Sequence, residues 1–136
     1  MPELVINMQQ TVAGIQTQFN SQYPFLKIEF FRQAPVSGIG NAKNKMIIHD
    51  MKLDAIHGIS KIGKIKLSNQ MTVNELENCF EKEYGLFVQV FRKSGKIWLE
   101  TTATDNWTLE QQNEEGKYLD QHLNVNRENP QDQDIY

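Results

Sequence analysis

The apolar positions in the second half of the chain change their spacing twice, and each spacing predicts a different element. Across Lys64–Ser68, isoleucine and leucine alternate with polar residues, which is typical of a half-buried strand. The next apolar residues fall on one stripe of a helix: Val73, Leu76, Phe80 and Tyr84. Two runs rich in β-branched and aromatic residues then predict strands at Phe87–Phe91 and Ile97–Glu100, joined by a tight turn at Ser94–Gly95.

Local signals mark the ends of the predicted helix. Thr72 and Glu75 have the spacing of a capping box, in which each side chain accepts a hydrogen bond from the other residue's backbone N–H. Gly85 comes after the last apolar position, and glycine adopts the left-handed conformation that ends many helices. The sequence therefore predicts a helix that begins after Thr72 and ends at Gly85.

The first half of the chain repeats this pattern. Residues 10–32 align with residues 71–92 over 22 positions when Phe25 is left out. Seven aligned pairs are identical: Thr11 and Thr72, Val12 and Val73, Phe19 and Phe80, Tyr23 and Tyr84, Leu26 and Leu86, Phe31 and Phe91, Arg32 and Arg92. The flanks extend the match, since Glu3–Ile6 precedes one copy as Lys64–Leu67 precedes the other, and Met46–Ile48 comes after one as Ile97–Leu99 does after the other. We infer a duplicated β-α-β-β unit, because two copies are too few for a solenoid.

The pattern predicts an α+β fold, with helices packed on one face of a mixed or antiparallel sheet. The order strand, helix, strand, hairpin is similar to the ubiquitin-like β-grasp, which is one arrangement that the pattern allows. Whether the copies form one sheet or two stays open. We predict a single domain over residues 1–124, with repeats at about 3–50 and 63–102 and a third helix at 107–116, capped by Asp105 or Asn106. Residues 125–136 are polar and are predicted to form a flexible tail.

Charge changes this picture only in the middle of the chain. The net charge is −3, but residues 27–66 carry eight Lys or Arg against three Asp or Glu, and residues 67–136 carry six against thirteen. The uneven distribution indicates either a binding face for a charged partner or a solvated surface whose charges mix on folding. The single cysteine, Cys79, is interpreted as a structural thiol and predicts a cytoplasmic protein without disulfides. No signal peptide or membrane helix is apparent.

Candidate chemistry is sparse. His49, Asp50, Asp54 and His57 form a cluster that could bind a metal or transfer protons, but their spacing fits no known motif, and turn and capping roles are the favoured interpretation. The segment 37–43 is similar to a phosphate loop but lacks the ending of glycine, lysine and serine or threonine, and it leads toward a strand. We therefore predict no catalytic residue, no metal, no cofactor and no enzymatic activity.

The interaction surface predicted from the sequence combines matched arginines, basic strand residues and two tryptophans. Its members are Arg32, Arg92, Lys93, Lys96, Trp98, Trp107, Lys61, Lys64 and Lys66. The favoured function is a non-enzymatic module that binds a protein, either an unknown partner or a second copy of the chain as a homodimer. The alternative is nucleic-acid binding through the basic stretch 43–66, with Phe30, Phe87 or Trp98 stacking on bases. A small-ligand binder or enzyme is the third class, and no membrane association is predicted.

Three segments resemble a family of small uncharacterised bacterial proteins. They read VQVFRKSG at 88–95, WLETT at 98–102 and TDNWTLEQQN at 104–113. The match is close over about 71–116 and more diffuse in the first half. The resemblance implies an independently folding unit and implies no activity, ligand or site residue.

Overall fold

Five strands and three helices make up the part of the chain that the computed structural model describes, residues 2–32, 46–56 and 62–126. In chain order they are β1 (Glu3–Ile6), α1 (Val12–Gln22), β2 (Leu26–Phe31), β3 (Gly63–Lys66), α2 (Val73–Tyr84), β4 (Phe87–Ser94), β5 (Ile97–Glu100) and α3 (Leu109–Asn126). Short 3₁₀ turns lie at Leu53–Ala55 and Thr102–Thr104. The predicted α+β class is confirmed.

The ends of α2 agree with the sequence signals. The Thr72 hydroxyl accepts the Glu75 N–H at 3.1 Å, and the Glu75 carboxylate accepts the Thr72 N–H at 3.3 Å. Gly85 closes the helix in the left-handed conformation, with φ of 68°. All four apolar residues of the predicted stripe are buried.

The third helix departs from its prediction at both ends. Thr108 caps it instead of Asp105 or Asn106, because its hydroxyl accepts the Gln111 N–H at 3.1 Å and the Gln111 side chain accepts the Thr108 N–H at 2.9 Å. The helix also continues through Gly116 to Asn126, so residues 125–126 of the predicted tail are helical, and the rest of that tail lies outside the described residues. A Cβ added to Gly116 would lie 2.8 Å from the Phe25 Cβ, so this glycine permits close packing of α3 on the start of β2 and is not a helix end.

The turn of the β4–β5 hairpin lies one residue later than predicted. Ser94 pairs with Ile97, and Gly95 and Lys96 form the turn between them. Gly95 has φ of 66°, whereas no described residue other than glycine has a positive φ. Glycine at the first central position with Lys96 at the second is the pattern of a type II′ turn, which suits the twist of a two-residue hairpin.

All strand pairs in the described residues are antiparallel and form two sheets. β1 pairs with β3 in one, and the other has the order β2-β4-β5. Of the two sheet types that the sequence leaves open, the structure has the antiparallel one, and it gives no support to the β-grasp order. Helices pack against these sheets, with α1 contacting β1 and β2, α2 contacting β4, and α3 contacting β4 and β2.

The two ladders between the halves are centred on aligned residues. Leu4 lies opposite Ile65, and Glu29 lies opposite Gln89, so both ladders have a local twofold relation between the copies. The residues that pair with Phe31 and Phe91 correct the sequence alignment of the segments after β2 and β4. Met46 bridges Phe31 as Glu100 pairs with Phe91, so Met46 corresponds to Glu100 and not to Ile97. The origin of the halves by duplication stays a prediction.

In each half, a residue that comes after the second strand accepts the first backbone N–H of the helix in that half. The Val12 N–H donates to the Met51 carbonyl at 2.9 Å, and the Val73 N–H donates to the Trp107 carbonyl at 3.0 Å. Leu53 and Leu109 come next at matching places and are both fully buried. The backbone groups at the starts of α1 and α2 are therefore used internally.

One hydrophobic cluster joins the two halves. Its aligned pairs are all at most 4% exposed: Leu4 and Ile65, Ile6 and Leu67, Val12 and Val73, Ile15 and Leu76, Phe19 and Phe80, Tyr23 and Tyr84, Leu26 and Leu86, Ile28 and Val88, Phe30 and Val90. Because one cluster contains both members of each pair, the halves share a core.

Candidate protein-interaction site

Arg92 lies beneath α3 and serves to hold that helix. Its Nη1 donates to the Gln112 side-chain oxygen at 3.0 Å, and its guanidinium carbon lies 5.7 Å from the centre of the half-buried Trp107 ring. The Gln112 amide in turn donates to the Thr104 carbonyl at 2.7 Å. Two members of the predicted surface, Arg92 and Trp107, thus contact each other as part of the packing between β4 and α3.

Lys93 is also engaged by α3. Its ammonium lies 2.8 Å from a carboxylate oxygen of Asp120, and both side chains are half-buried. The acidic second half of the sequence therefore neutralises part of its own basic hairpin. Because Lys93 and Asp120 both lie within residues 67–136, this ion pair leaves the excess positive charge of residues 27–66 unchanged.

The remaining basic residues of the predicted surface are scattered. Arg32 is exposed just beyond β2, whereas Arg92 pairs with Leu26 at the opposite end of the same ladder, so the matched arginines do not meet. Lys64 and Lys66 are exposed on β3, and the Lys64 ammonium lies 3.7 Å from a carboxylate oxygen of Glu3. Lys61 lies outside the described residues.

Trp98 faces a groove of about 370 Å³ between α1 and the sheet. The Lys27 ammonium lies 5.1 Å from the Trp98 ring centre and 3.2 Å from a Glu29 oxygen. Gln16 donates to the same Glu29 carboxylate at 2.8 Å, and His49 lines the groove nearby. The charges of this groove are paired with one another, so its arrangement favours stabilisation of the sheet surface over binding of an ion.

Helix α1 closes the outer edge of β2. The Gln16 amide donates to the Ile28 carbonyl at 2.8 Å, and the Asn20 amide donates to the Leu26 carbonyl at 2.8 Å. The Ile47 N–H donates to the Phe30 carbonyl at 2.7 Å. These bonds occupy backbone groups that another strand would otherwise use, so this edge is protected against strand addition.

The other edge of the same sheet, β5, is open. No comparable cap on β5 is found in the part of the chain that the structure describes. Ile97 is 49% exposed and Leu99 is 39% exposed, and Lys96 and Glu100 are exposed beside them. Because Ser94 and Ile97 flank a two-residue turn, they form a hydrogen-bonded pair, and alternation directs the backbone groups of Trp98 and Glu100 away from β4. An accessible edge with apolar side chains is suited to binding another strand.

Lys96 and Trp98 belong to the interaction surface predicted from the sequence, whereas Ile97, Leu99 and Glu100 at the same edge were not predicted. Isoleucine and leucine in a predicted strand normally indicate burial, and only the strand order reveals that these two lie at an edge. The signal that could have found the site is the arrangement of opposite charges at the two ends of the segment 96–100.

A half-buried carboxyl group lies behind this edge. Glu77 of α2 accepts the Val90 N–H at 2.9 Å, just beyond the point where β5 stops pairing with β4. Burial raises the pKa of Glu77 to about 7, and the nearby Asp105 and Glu100 carboxylates act in the same direction while the Val90 hydrogen bond opposes the shift. Glu77 thus retains its proton to higher pH than an ordinary glutamate.

The other sequence candidates form no site within the part of the chain that the structure describes. No group of three or more metal-binding side chains exists among the described residues, where His49, Asp50 and Asp54 are exposed. His57 and the segment 37–43 lie outside those residues. Cys79 is half-buried against the core and is not in a disulfide. No helix within residues 2–32, 46–56 and 62–126 is long and apolar enough to cross a membrane.

Comparison with protein-family models, with curated proteins and with solved structures found no match to this chain. The resemblance to a family of small bacterial proteins stays a prediction from the three segments that carry it. The candidate site therefore stands on the geometry of the sheet edge.

Proposed function

We propose that this chain is a non-enzymatic protein–protein interaction module that binds a β-strand of its partner along β5. The observation that carries the proposal is the contrast between the two edges of one sheet. α1 caps the backbone carbonyls of β2, whereas β5 exposes Ile97 and Leu99 beside outward-facing backbone groups. An edge that a protein does not use is often covered, as β2 is covered by α1, whereas β5 carries apolar side chains between the charges at its two ends.

The side chains on β5 fit a partner strand. Ile97 and Leu99 lie on the same face as Ser94 and Arg92 of β4, so an added strand would cover their exposed surface. Trp98 points to the other face, and a tryptophan at the centre of a contact is a frequent hot spot. Backbone hydrogen bonds would supply affinity, and alternate side chains would supply specificity.

Nucleic-acid binding has less support. Phe30, one of the proposed stacking residues, is fully buried against Phe80 with ring centres 5.7 Å apart. Lys93 is paired with Asp120 at 2.8 Å, which removes one phosphate contact from the hairpin. The single cysteine is the sequence feature that supports a cytoplasmic location for the proposed module.

The proposal is tested by site-specific photo-crosslinking in the source cells. A photoreactive phenylalanine analogue replaces Leu99, and a matched control carries it at Tyr118, which is 54% exposed on α3. We expect a discrete protein adduct from position 99 that is absent from position 118, with its partner identified by mass spectrometry. A nucleic-acid adduct, or equal crosslinking at both positions, would overturn the proposal.

A further inference from the structure

We infer that the partner strand is β5 of a second copy of this chain, paired antiparallel about a twofold axis at Trp98. The inference rests on the proposed function, since it names the partner of the same edge. Two three-stranded sheets would then join into one six-stranded antiparallel sheet. The symmetric contact is of the isologous type that closes homodimers.

The backbone of β5 is in the correct phase for this pairing. Trp98 lies opposite Lys93 at a position of the β4–β5 ladder that is not hydrogen-bonded, so its own N–H and carbonyl point outward. Glu100 alternates with it and points the same way, whereas Lys96 belongs to the turn and contributes its side chain. A second strand centred on Trp98 would therefore meet outward-directed backbone groups at Trp98 and Glu100.

The side chains are self-complementary in the same register. Pairing about Trp98 places Ile97 of one copy opposite Leu99 of the other, on the face where both are partly exposed. These two would form the pairs without mutual hydrogen bonds, in which side chains lie closer together. The exposed apolar surface of each copy would thus be covered by that of the other.

The charges select this register and this direction. With Trp98 at the centre, Lys96 of each copy lies opposite Glu100 of the other, which gives two opposite-charge pairs. A shift of the centre to Ile97 or Leu99 leaves both charges without a counterpart. A parallel pairing in register would place Lys96 against Lys96. Charge complementarity at both ends therefore favours the antiparallel arrangement.

Charge reversal on the full-length chain tests the inference. Lys96→Glu places two glutamates opposite each other at both ends of the contact, and Glu100→Lys does the same with lysines. We expect each variant alone to self-associate about tenfold more weakly than the original chain, as measured by sedimentation over a concentration series. An equimolar mixture of the two variants pairs opposite charges again and should regain association.

Lys66→Glu is the matched control, since it reverses an exposed lysine on a strand of the other sheet and should leave association unchanged. Circular dichroism confirms that every variant is folded. Weakening by both reversals together with recovery in the mixture supports the inference.

Two other outcomes separate this inference from the proposed function. If the original chain associates but the mixture shows no recovery, the Trp98-centred register is wrong. If the original chain stays monomeric while position 99 crosslinks to a different protein, the second copy is wrong as the partner and the interaction module stands. A monomer without specific crosslinking contradicts both.

Discussion

Residues 3–31 and 64–91 fold into equivalent strand–helix–strand units, yet the two units treat their outer strand edges differently. In the first unit, Gln16 and Asn20 of α1 donate to carbonyls of β2 and close its edge. In the second, β4 pairs with β5, and the open edge moves outward by one strand. The buried positions match, so the difference among the described residues lies in polar side chains of the two helices and in the pairing of β4 with β5.

The residue at one aligned position shows how small the chemical change is. Gln16 in α1 corresponds to Glu77 in α2, and both side chains reach the neighbouring strand. Gln16 donates to a carbonyl, whereas Glu77 accepts an N–H. An amide supplies both donor and acceptor without charge, so the glutamate introduces a pH-sensitive group at the base of the β5 edge.

The largest effect is expected from the aligned core phenylalanines. Phe19→Ala and Phe80→Ala should each lower the free energy of unfolding by about 3–5 kcal/mol, because each ring is fully buried. Urea denaturation measures both losses. Since both rings belong to one cluster, each variant should unfold in a single transition. Two transitions in either variant would show that the halves are energetically separate.

The contrast between Gln16 and Glu77 predicts that the free energy of unfolding changes with pH by about 1–3 kcal/mol because of Glu77. Its pKa of about 7 in the folded chain exceeds the ordinary value of 4.5, so the folded chain binds the proton more tightly than the unfolded chain. The resulting stabilisation is complete below pH 4.5 and is lost as the pH rises toward 7. Glu77→Gln should therefore flatten this dependence, measured by urea denaturation at pH 5 and pH 8.

A control for this effect comes from the exposed Glu81 of the same helix. Glu81→Gln removes an exposed carboxylate and retains Glu77, so it should leave the pH dependence of unfolding in place. An unchanged pH dependence in Glu77→Gln, with the fold intact, would show that Glu77 is not the responsible group.

Much of the architecture was predictable because the signals are local. The Thr72 capping box and the Gly85 helix end depend on residues within a few positions, and both are confirmed. The continuation of α3 past Gly116 was not predictable. This glycine is explained by close packing against Phe25, which is far away in the sequence. Similarly, the exposure of Ile97 depends on strand order, which no local pattern contains.

The two helix C-termini offer a smaller contrast. α2 ends at Gly85 with φ of 68°, whereas α1 ends at Tyr23 with φ of −130°. Gly85→Ala should cost about 1–2 kcal/mol, because a Cβ is disfavoured in the left-handed conformation. Gly116→Ala is unsuitable as a control because that glycine is tightly packed. Glu81→Ala, at an exposed position of the same helix, should change the midpoint of urea denaturation little in comparison.

The smallest contrast lies at the helix N-termini. Thr11 and Thr72 each accept the N–H three residues on, at 3.0 and 3.1 Å, but only Thr72 has a glutamate that returns a bond. Thr72→Ala should cost about 1 kcal/mol and Thr11→Ala several tenths less, measured by urea denaturation. Glu75→Ala isolates the returned bond and should account for the difference. Equal losses at both threonines would mean that the capping box adds nothing measurable to stability. The starts of the helices would then be fixed by the Met51 and Trp107 carbonyls, which accept the N–H groups of Val12 and Val73.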